Sequence, residues 1–219
     1  MSDLDVRVFT VGPVQENCYI VRSAGDAMCA VIVDPGEEPE RLLQAAGSLG
    51  VSLDAILITH CHFDHIGAVA PVARATGAPV YCPVIERALL TDVMSWVPQG
   101  FGPFENHDPE HTVAGGEHLQ LAGLEIDVIF TPGHSPGHLA FWRAADRTLV
   151  AGDVLFGRHP ATGRPGLHEP PAMFTPDPAR NRESIRRLAA LEPAVVCFGH
   201  GPPWRDPAAL SAFAAALPA

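Results

Sequence analysis

Histidine and aspartate residues recur in this sequence directly after apolar runs that predict β-strands. The densest group follows the run at 53–58 and reads His60-Cys61-His62-Phe63-Asp64-His65. Loops that leave neighbouring strands can converge at one edge of a sheet, so side chains placed there can meet. Seven residues share this placement: His60, His62, Asp64, His65, His134, Asp153 and His200. We therefore expect these side chains to form one polar site.

The residue types and spacing in this group predict metal binding. His60 and His62 are two apart on an extended segment, so both rings can point to one side and ligate one ion. Asp64 and His65 lie at the start of the next predicted helix and can serve a second ion, and each later strand end adds one ligand. Imidazole with carboxylate suits zinc, iron or manganese. Because unpaired groups of this kind are costly to bury, we prefer metal binding to a structural role.

Other residues with possible chemistry have weaker sequence support. A lone histidine is more often structural or solvated than a ligand, and we assign that role to His107, His111, His118, His159 and His168. Arg158 and Arg164 lie in a polar, Pro-rich loop at 157–178 and could bind a substrate carboxylate, with solvated arginines as the alternative.

The elements that must position the site follow from apolar periodicity. In the first half, strands are predicted at 6–11, 17–21, 28–33, 53–58 and 79–82, and helices at 38–49, 64–76 and 84–93. In the second half, strands are predicted at 118–121, 124–130, 139–142, 148–151 and 194–198, with a helix at 179–191 and a closing Ala-rich helix. Two strand-rich halves with helices indicate an α/β protein of two sheets packed face to face, with helices outside.

A long connection at 95–116 is rich in Pro, Gly, Phe and His. Connections of this length within a compact domain are more often functional than decorative, so Trp96, Phe101 and Phe104 could line or cover a pocket. The alternative is a surface loop that folds on its own aromatic side chains.

Composition limits the class of protein. With 219 residues, 47% hydrophobic and 18% charged, the sequence predicts one globular domain over 1–219. The formal net charge of -11 argues against nucleic acid or an anionic membrane as partner, and favours a small-molecule substrate. No apolar run approaches the roughly 18–20 residues of a membrane span, and 1–8 lacks the pattern of a secretory leader. We therefore expect a cytoplasmic protein; the sequence does not predict its oligomeric state.

The cysteines support the same location. Five cysteines without a CxxC pair fit a reducing compartment better than a disulfide framework; they are Cys18, Cys29, Cys61, Cys82 and Cys197. Four lie in strand-like apolar runs, which indicates core packing, and Cys61 is assigned a packing or neutral role rather than ligation.

The order of these motifs resembles the metallo-β-lactamase superfamily. The resemblance rests on His60-x-His62-x-Asp64-His65, Gly133-His134, Gly152-Asp153 and Gly199-His200-Gly201. Two further segments, Val11-Gly12-Pro13-Val14-Gln15-Glu16-Asn17-Cys18-Tyr19 and Thr131-Pro132-Gly133-His134-Ser135-Pro136-Gly137-His138, are similar to its short bacterial glyoxalase II-like (hydroxyacylglutathione hydrolase-like) branch. The implied fold is the four-layer αββα metallo-β-lactamase sandwich, with metals at one sheet edge.

The resemblance also implies roles for the residues. His60, His62 and His134 would hold the first metal, Asp64, His65 and His200 the second, and Asp153 would bridge them, while His138 would lie outside the ligand set. The cofactors would be two divalent ions, with zinc favoured over iron or manganese. A metal-bridging hydroxide would attack a carbonyl, with Asp64 and Asp153 as catalytic carboxylates. The implied substrate is a thioester of the hydroxyacyl-glutathione type.

Three alternatives to the thioesterase function remain open. A lactonase or another ester or amide hydrolase could use the same metal pair, because fold and metals do not determine the substrate. The persulfide dioxygenase branch uses one iron held by residues that match His60, His134 and Asp153. A non-catalytic binding module is the third alternative, which the intact set of ligand positions disfavours.

Overall fold

The computed structural model describes residues 4–24 and 28–218. The chain divides into two compact units, Met1–Val113 with Leu119–Glu125, and Ala114–His118 with Ile126–Ala219. One domain over 1–219 stays a prediction. Residues 1–3 of the segment considered as a leader, and residues 25–27 and 219 of the predicted domain, lie outside the described part.

The first unit carries a six-stranded sheet in the order β1-β2-β3-β4-β5-β6. Its strands are β1 (Leu4–Val11), β2 (Glu16–Ser23), β3 (Cys29–Val33), β4 (Ser52–Leu57), β5 (Val80–Pro83) and β6 (His111–Val113). Strands β1 to β3 pair antiparallel, whereas β3 to β6 pair parallel. Parallel pairing places the carboxyl ends of β3 and β4 at the same edge of the sheet, with Val33 opposite Leu57.

The helices of the first unit are α1 (Pro39–Leu49), α2 (Phe63–Ile66), α3 (Val69–Thr76) and α4 (Arg87–Thr91), with 3-10 turns at Val84–Glu86 and Val93–Ser95. The predicted helix at 64–76 is in fact two helices, because the Ala68 N–H donates to the Pro35 carbonyl rather than continuing α2. The predicted helix at 84–93 is likewise divided between a 3-10 turn and α4. Helix α1 ends where Gly50 adopts a left-handed φ of 68°.

Burial of apolar side chains holds the first unit together. The core includes Ile20 on β2, Ile32 on β3, Ile56 on β4, Leu42 on α1 and Val69 on α3, each at most 1% exposed. Each fully buried side chain of this type contributes about 1.5–3 kcal/mol relative to an exposed one. The strands that lead to Asp34 and His60 are therefore among the most firmly held parts of this unit.

The five-stranded sheet has the order β13-β10-β9-β8-β7. Its strands are β7 (His118–Leu121), β8 (Leu124–Phe130), β9 (Leu139–Arg143), β10 (Thr148–Gly152) and β13 (Val195–Phe198). Strand β9 pairs antiparallel with β8 and β10, and β10 pairs parallel with β13. The second unit contains a two-stranded ribbon of β11 (Phe156–Arg158) and β12 (Pro165–His168).

The predicted loops at 95–116 and 157–178 contain β6 and most of the β11-β12 ribbon respectively. These strands are three or four residues long, which is too short for a periodic signal. Apart from the divided helices at 64–76 and 84–93, the strands and helices predicted elsewhere match observed ones in type, with ends that differ by a few residues.

Helices α5 (Pro178–Ala189) and α6 (Pro207–Ala216) complete the second unit. Each begins with an Asp-Pro pair, in which the carboxylate of Asp177 or Asp206 accepts a backbone N–H of the first turn. The apolar core of this unit includes Ile185 and Leu210 from the helices and Phe198 from β13. Every helix within 4–24 and 28–218 falls short of the length and apolarity needed to cross a membrane.

Candidate metal centre

Asp34 organises the edge of the first sheet where β3 and β4 end. Its Oδ1 accepts the Thr59 backbone N–H at 2.7 Å, and its Oδ2 accepts the Thr59 hydroxyl at 2.6 Å. The same Oδ2 lies 3.0 Å from Nδ1 of His65, which lies on α2. Asp34, Thr59 and His65 are all buried. This carboxylate therefore joins β3, β4 and α2, and it holds the His65 ring by its Nδ1 side.

Thr59 determines which ring nitrogen of His60 points away from the sheet. Because its hydroxyl hydrogen goes to Asp34, the Thr59 oxygen can accept from Nδ1 of His60, 3.0 Å away. This hydrogen bond assigns the proton of His60 to Nδ1 and the lone pair to Nε2. The Nε2 atom lies 3.1 Å from Nδ1 of His62. Two imidazole nitrogens that face one another at this distance can share a proton or a cation.

A buried glutamate fixes the backbone between these two histidines. The Cys61 N–H donates to Oε2 of Glu86 at 2.6 Å, and Glu86 is 2% exposed. The Cys61 side chain turns away from the histidines, with its sulfur 3.6 Å from that of Cys82. These contacts agree with a packing role for Cys61.

The surroundings of these histidines are rich in acidic side chains. Glu16, Asp34 and Glu86 are buried carboxyl groups, and Glu16 Oε1 lies 3.7 Å from Nδ1 of His65. Burial raises the pKa of the Cys18 thiol well above its usual range, and the charges of Glu16 and Asp34 add to the effect. A site surrounded by negative charge favours a cation.

In the second unit, Asp153 follows β10 and His200 follows β13, which are parallel neighbours. The Gly199 N–H donates to the Gly152 carbonyl at 2.9 Å, so both loops leave the sheet together. Oδ2 of Asp153 lies 3.5 Å from Nε2 of His200 and 3.5 Å from Nε2 of His134. One carboxylate oxygen therefore lies close to two imidazole nitrogens, and all three residues are buried.

His138 supports Asp153 through the backbone. Its Nδ1 lies 2.9 Å from the Thr131 hydroxyl, and its Nε2 accepts the Asp153 N–H at 3.1 Å. Both ring nitrogens are thus engaged within the protein, which agrees with the prediction that His138 lies outside the ligand set. His138 is instead a positioning residue for Asp153.

The turn that carries His134 is packed against α5. Gly133 has φ 138°, and a Cβ on it would lie 2.2 Å from the backbone nitrogen of Asn181. The Ser184 hydroxyl donates to the Pro132 carbonyl at 2.8 Å. Nδ1 of His134 lies 3.4 Å from the Thr175 hydroxyl oxygen, and that hydroxyl donates to the Pro171 carbonyl. The Thr175 oxygen can therefore accept from Nδ1, as Thr59 does for His60.

The donor set fits a divalent metal on chemical grounds. His60, His65 and His134 each have Nδ1 beside a hydroxyl or carboxylate oxygen, which leaves the ligating role to Nε2. An outer partner of this kind is the usual support of a metal-binding histidine, because it sets the tautomer and the ring orientation. Ligand atoms of Asp34, His60 and His65 also lie within 4.8 Å of one another. Asp34 already accepts three protein hydrogen bonds, so we assign it to support rather than to ligation.

The other histidines have local partners in their own units. His118 and His107 contact carboxylates, at 2.7 Å from Asp127 and 3.4 Å from Glu110. The rings of His159 and His168 lie edge to face, 5.0 Å apart on the β11-β12 ribbon. His111 lies against the Tyr81 ring. Their surroundings agree with the structural or surface role predicted for them.

The residues that hold the ligand candidates in place are not among the predicted site residues. These are Glu16, Asp34, Thr59, Glu86, Thr131, Thr175, Asn181 and Ser184. Asp34 carries the same sequence signal as the predicted ligands, since it also directly follows an apolar strand. The others lie on separate elements, and their roles depend on tertiary contacts.

A surface cavity of about 260 Å³ in the first unit contains none of the predicted ligands. It is lined by residues of the α3 end and the following chain, including Arg74, Asn106, His107 and Glu110.

Buried histidines and aspartates at the ends of adjacent strands form a candidate metal site, and the family comparison gives the class of protein, a metal-dependent hydrolase. Residues 11–200 match the family model of the metallo-β-lactamase superfamily. The chain belongs to this superfamily and has its fold, so the resemblance and fold class predicted from the sequence are confirmed.

Two curated relatives show the similarity along the chain. The chain is 31% identical to the probable metallo-hydrolase YflN of Bacillus subtilis (strain 168), over 85% of this chain and 81% of YflN. It is 32% identical to the hydroxyacylglutathione hydrolase GloC of Haemophilus influenzae, over 70% of this chain and 73% of GloC.

Two crystal structures extend the similarity to the fold. BLEG-1 B3 metallo-β-lactamase has 32% sequence identity and a TM-score of 0.77, covering 91% of this chain and 93% of its own. TTHA1623 in a di-iron-bound form has 34% identity and a TM-score of 0.70, covering 91% of this chain and 94% of its own.

Proposed function

We propose that the chain holds two divalent metal ions and hydrolyses a thioester of the hydroxyacyl-glutathione type. The proposed ligands are His60, His62 and His134 for one ion, Asp64, His65 and His200 for the other, and Asp153 as the bridge. Membership of the superfamily and the support of Nδ1 in three of these histidines favour this assignment.

The observation that carries the proposal is the position of the Asp153 carboxylate. Its Oδ2 lies 3.5 Å from Nε2 of both His134 and His200, which the proposal assigns to different ions. A carboxylate oxygen placed between two such nitrogens is suited to bridging. The His138 ring accepts the Asp153 backbone N–H, so the position of the carboxylate is held through the backbone as well as through its side-chain contacts.

When bound, such ions polarise a substrate carbonyl and lower the pKa of water towards neutrality. The protein's own contribution is orientation and proton transfer. The Asp64 side chain is 13% exposed, against 5% for that of Asp153, and its Oδ2 lies 3.8 Å from Nε2 of His65. We assign Asp64 to accept the proton of the attacking water and return it to the leaving thiolate, which yields an acid and a thiol.

The similarity to GloC supports the substrate class, because that relative is a hydroxyacylglutathione hydrolase. A second candidate is amide hydrolysis of a β-lactam, which the similarity to BLEG-1 favours.

The test is a panel of S-lactoylglutathione, a β-lactam and a lactone with metal-loaded protein. The proposal requires kcat/KM to be highest for the thioester; a higher value for another substrate would move the assignment to that class.

Metal analysis of protein purified without added metal tests the site itself. We expect about two divalent ions per chain, with zinc favoured and iron or manganese as alternatives. The di-iron form of TTHA1623 is the reason to measure all three metals. About one iron per chain would instead favour the dioxygenase alternative, and failure to reach stoichiometric metal after reloading would contradict the proposal.

A further inference from the structure

An uncharged, apolar segment lies beside the proposed metal ligands in the first unit. Residues 94–104 read Met-Ser-Trp-Val-Pro-Gln-Gly-Phe-Gly-Pro-Phe, without one Asp, Glu, Lys or Arg. We call residues 94–104 the apolar segment.

One aromatic contact places this segment next to the site. The rings of Phe101 and Phe63 are 4.5 Å apart and tilted by 44°. Phe63 lies between His62 and Asp64 in the sequence. Phe101 therefore packs on the residue that separates two proposed ligands.

The apolar segment is held against the core of the first unit. Val97 and Phe104 pack against the buried cluster, and a Cβ on Gly67 would lie 2.6 Å from the Phe104 ring. The Phe104 N–H contacts the Met94 sulfur at 3.3 Å, which joins the two ends of the segment. These contacts give the segment a defined position from which its other side chains can bind a ligand.

Large apolar side chains of the segment remain accessible. Trp96 is 64% exposed and Met94 is 44% exposed, while Phe63 and Phe101 are half-buried. Exposed aromatic and methionine side chains are typical of ligand-binding surfaces, and the Phe101–Phe63 contact places their segment beside the polar site. The segment offers shape and apolar area, and it lacks charged side chains that could pair with an ionic group.

We propose that the apolar segment binds the acyl side of the substrate and selects acyl groups with an aromatic or similarly large apolar substituent. This inference rests on the proposed thioesterase function. The glutathione half of such a thioester carries carboxylate and ammonium groups, which require charged or polar partners. The acyl substituent can be uncharged, so it is the part of the substrate that matches this surface.

Two thioesters that differ only in that substituent provide the test. S-lactoylglutathione and S-mandeloylglutathione share the thiol and the hydroxyacyl group, and they differ by methyl against phenyl. We expect metal-loaded protein to prefer the mandeloyl substrate by about tenfold or more in kcat/KM, because extra apolar contact discriminates at this level. Most of the preference should arise from KM.

Variants of the segment separate this binding role from catalysis. Phe101→Ala and Trp96→Ala should bring the ratio of the two kcat/KM values close to one, mainly by lowering kcat/KM for the mandeloyl substrate, while the metal content stays near wild type. Trp96 is largely exposed, so its variant tests the proposal even if Phe101→Ala is unstable. Val8→Ala is the matched control, since Val8 is a 44% exposed apolar residue on β1.

The outcomes distinguish this inference from the function on which it rests. Hydrolysis of both thioesters without a mandeloyl preference, or a preference that both variants retain, would overturn the role of the segment and leave the thioesterase proposal intact. If metal-loaded protein hydrolyses neither thioester, the proposed function fails and this inference fails with it.

Discussion

At the scale of single residues, hydroxyl and carboxylate oxygens determine how the histidines present their nitrogens. Thr59 lies beside Nδ1 of His60, and Asp34 lies beside Nδ1 of His65. Each contact assigns a proton to Nδ1 and a lone pair to Nε2. The orientation of the proposed ligands therefore depends on neighbouring residues that are not themselves proposed as ligands.

Asp153→Ala is expected to abolish hydrolysis and to reduce metal content, because it removes the proposed bridging carboxylate. The measurements are kcat/KM for the thioester and elemental analysis of the purified variant. Full activity in Asp153→Ala would eliminate the proposed site.

His168→Ala is the control for this experiment. Burial lowers the pKa of His168, and the charges of His159 and Arg164 add to the effect. His168 is therefore a neutral imidazole near neutral pH. Its removal should leave metal content unchanged. Loss of metal in this variant would show that the assay follows general destabilisation rather than ligand removal.

Thr131→Val tests the support of Asp153 through His138. Valine keeps the shape of threonine but removes the hydroxyl that lies 2.9 Å from Nδ1 of His138. We expect metal affinity or kcat to fall by about tenfold, because loss of one buried hydrogen bond typically costs about 1 kcal/mol and its effect reaches Asp153 through His138. Chelator competition measures the affinity. Thr131→Ser keeps the hydroxyl and should remain close to wild type; equal losses in both variants would refute the positioning role.

At the scale of elements, parallel neighbouring strands bring distant parts of the chain to one sheet edge. Strands β3 and β4 do so for Asp34 and His60, and β10 and β13 do so for Asp153 and His200. Where the chain leaves these strands, backbone segments pass very close together. A Cβ on Gly36 would lie 1.7 Å from the Asp64 carbonyl oxygen.

Gly36→Ala should therefore force Asp64 and the start of α2 away from their positions. We expect the free energy of unfolding to fall by about 1–3 kcal/mol or more, together with weaker metal binding. Thermal unfolding and metal titration measure the two effects. Gly47→Ala is the matched control, because Gly47 is exposed on α1 with no atom within 4 Å of a new Cβ.

Since alanine favours helix, Gly47→Ala should raise stability by about 0.5–1 kcal/mol. If Gly36→Ala matched wild type in both stability and metal binding, the close approach of Gly36 to Asp64 would not be needed for either property.

At the scale of the whole molecule, burial determines which cysteines can react. Four of the five cysteines are buried, and Cys29 is partly exposed. Burial raises the pKa of the Cys197 thiol to about 12, and it raises that of Cys61 well above its usual range. A thiol with a raised pKa stays protonated at neutral pH, and the protonated form is unreactive.

Native protein at pH 8 should therefore label rapidly at about one thiol, Cys29, and denatured protein at all five. Ellman titration with and without guanidinium measures this difference. Cys29→Ser should remove the fast phase. Rapid labelling of several thiols in the native state would show that the strands around Cys18, Cys61, Cys82 and Cys197 open readily.

The sequence by itself determined the family, the fold class and the strand-end candidates, because apolar strands followed by His or Asp form a local pattern. Superfamily membership confirms the first two, and the ligand assignment stays a prediction. The pattern cannot show which residue supports each ligand, since Asp34 and His65 are 31 positions apart.

Only the tertiary structure decided these pairings and the local breaks in regular elements. The helix predicted at 64–76 divides because the Ala68 N–H finds the Pro35 carbonyl on another segment. His138 becomes a support for Asp153 because β9 and β10 bring them within hydrogen-bond distance. Phe101 becomes a neighbour of Phe63 through the path of the 94–104 segment. Each depends on contacts between distant positions, which local propensity and periodicity do not encode.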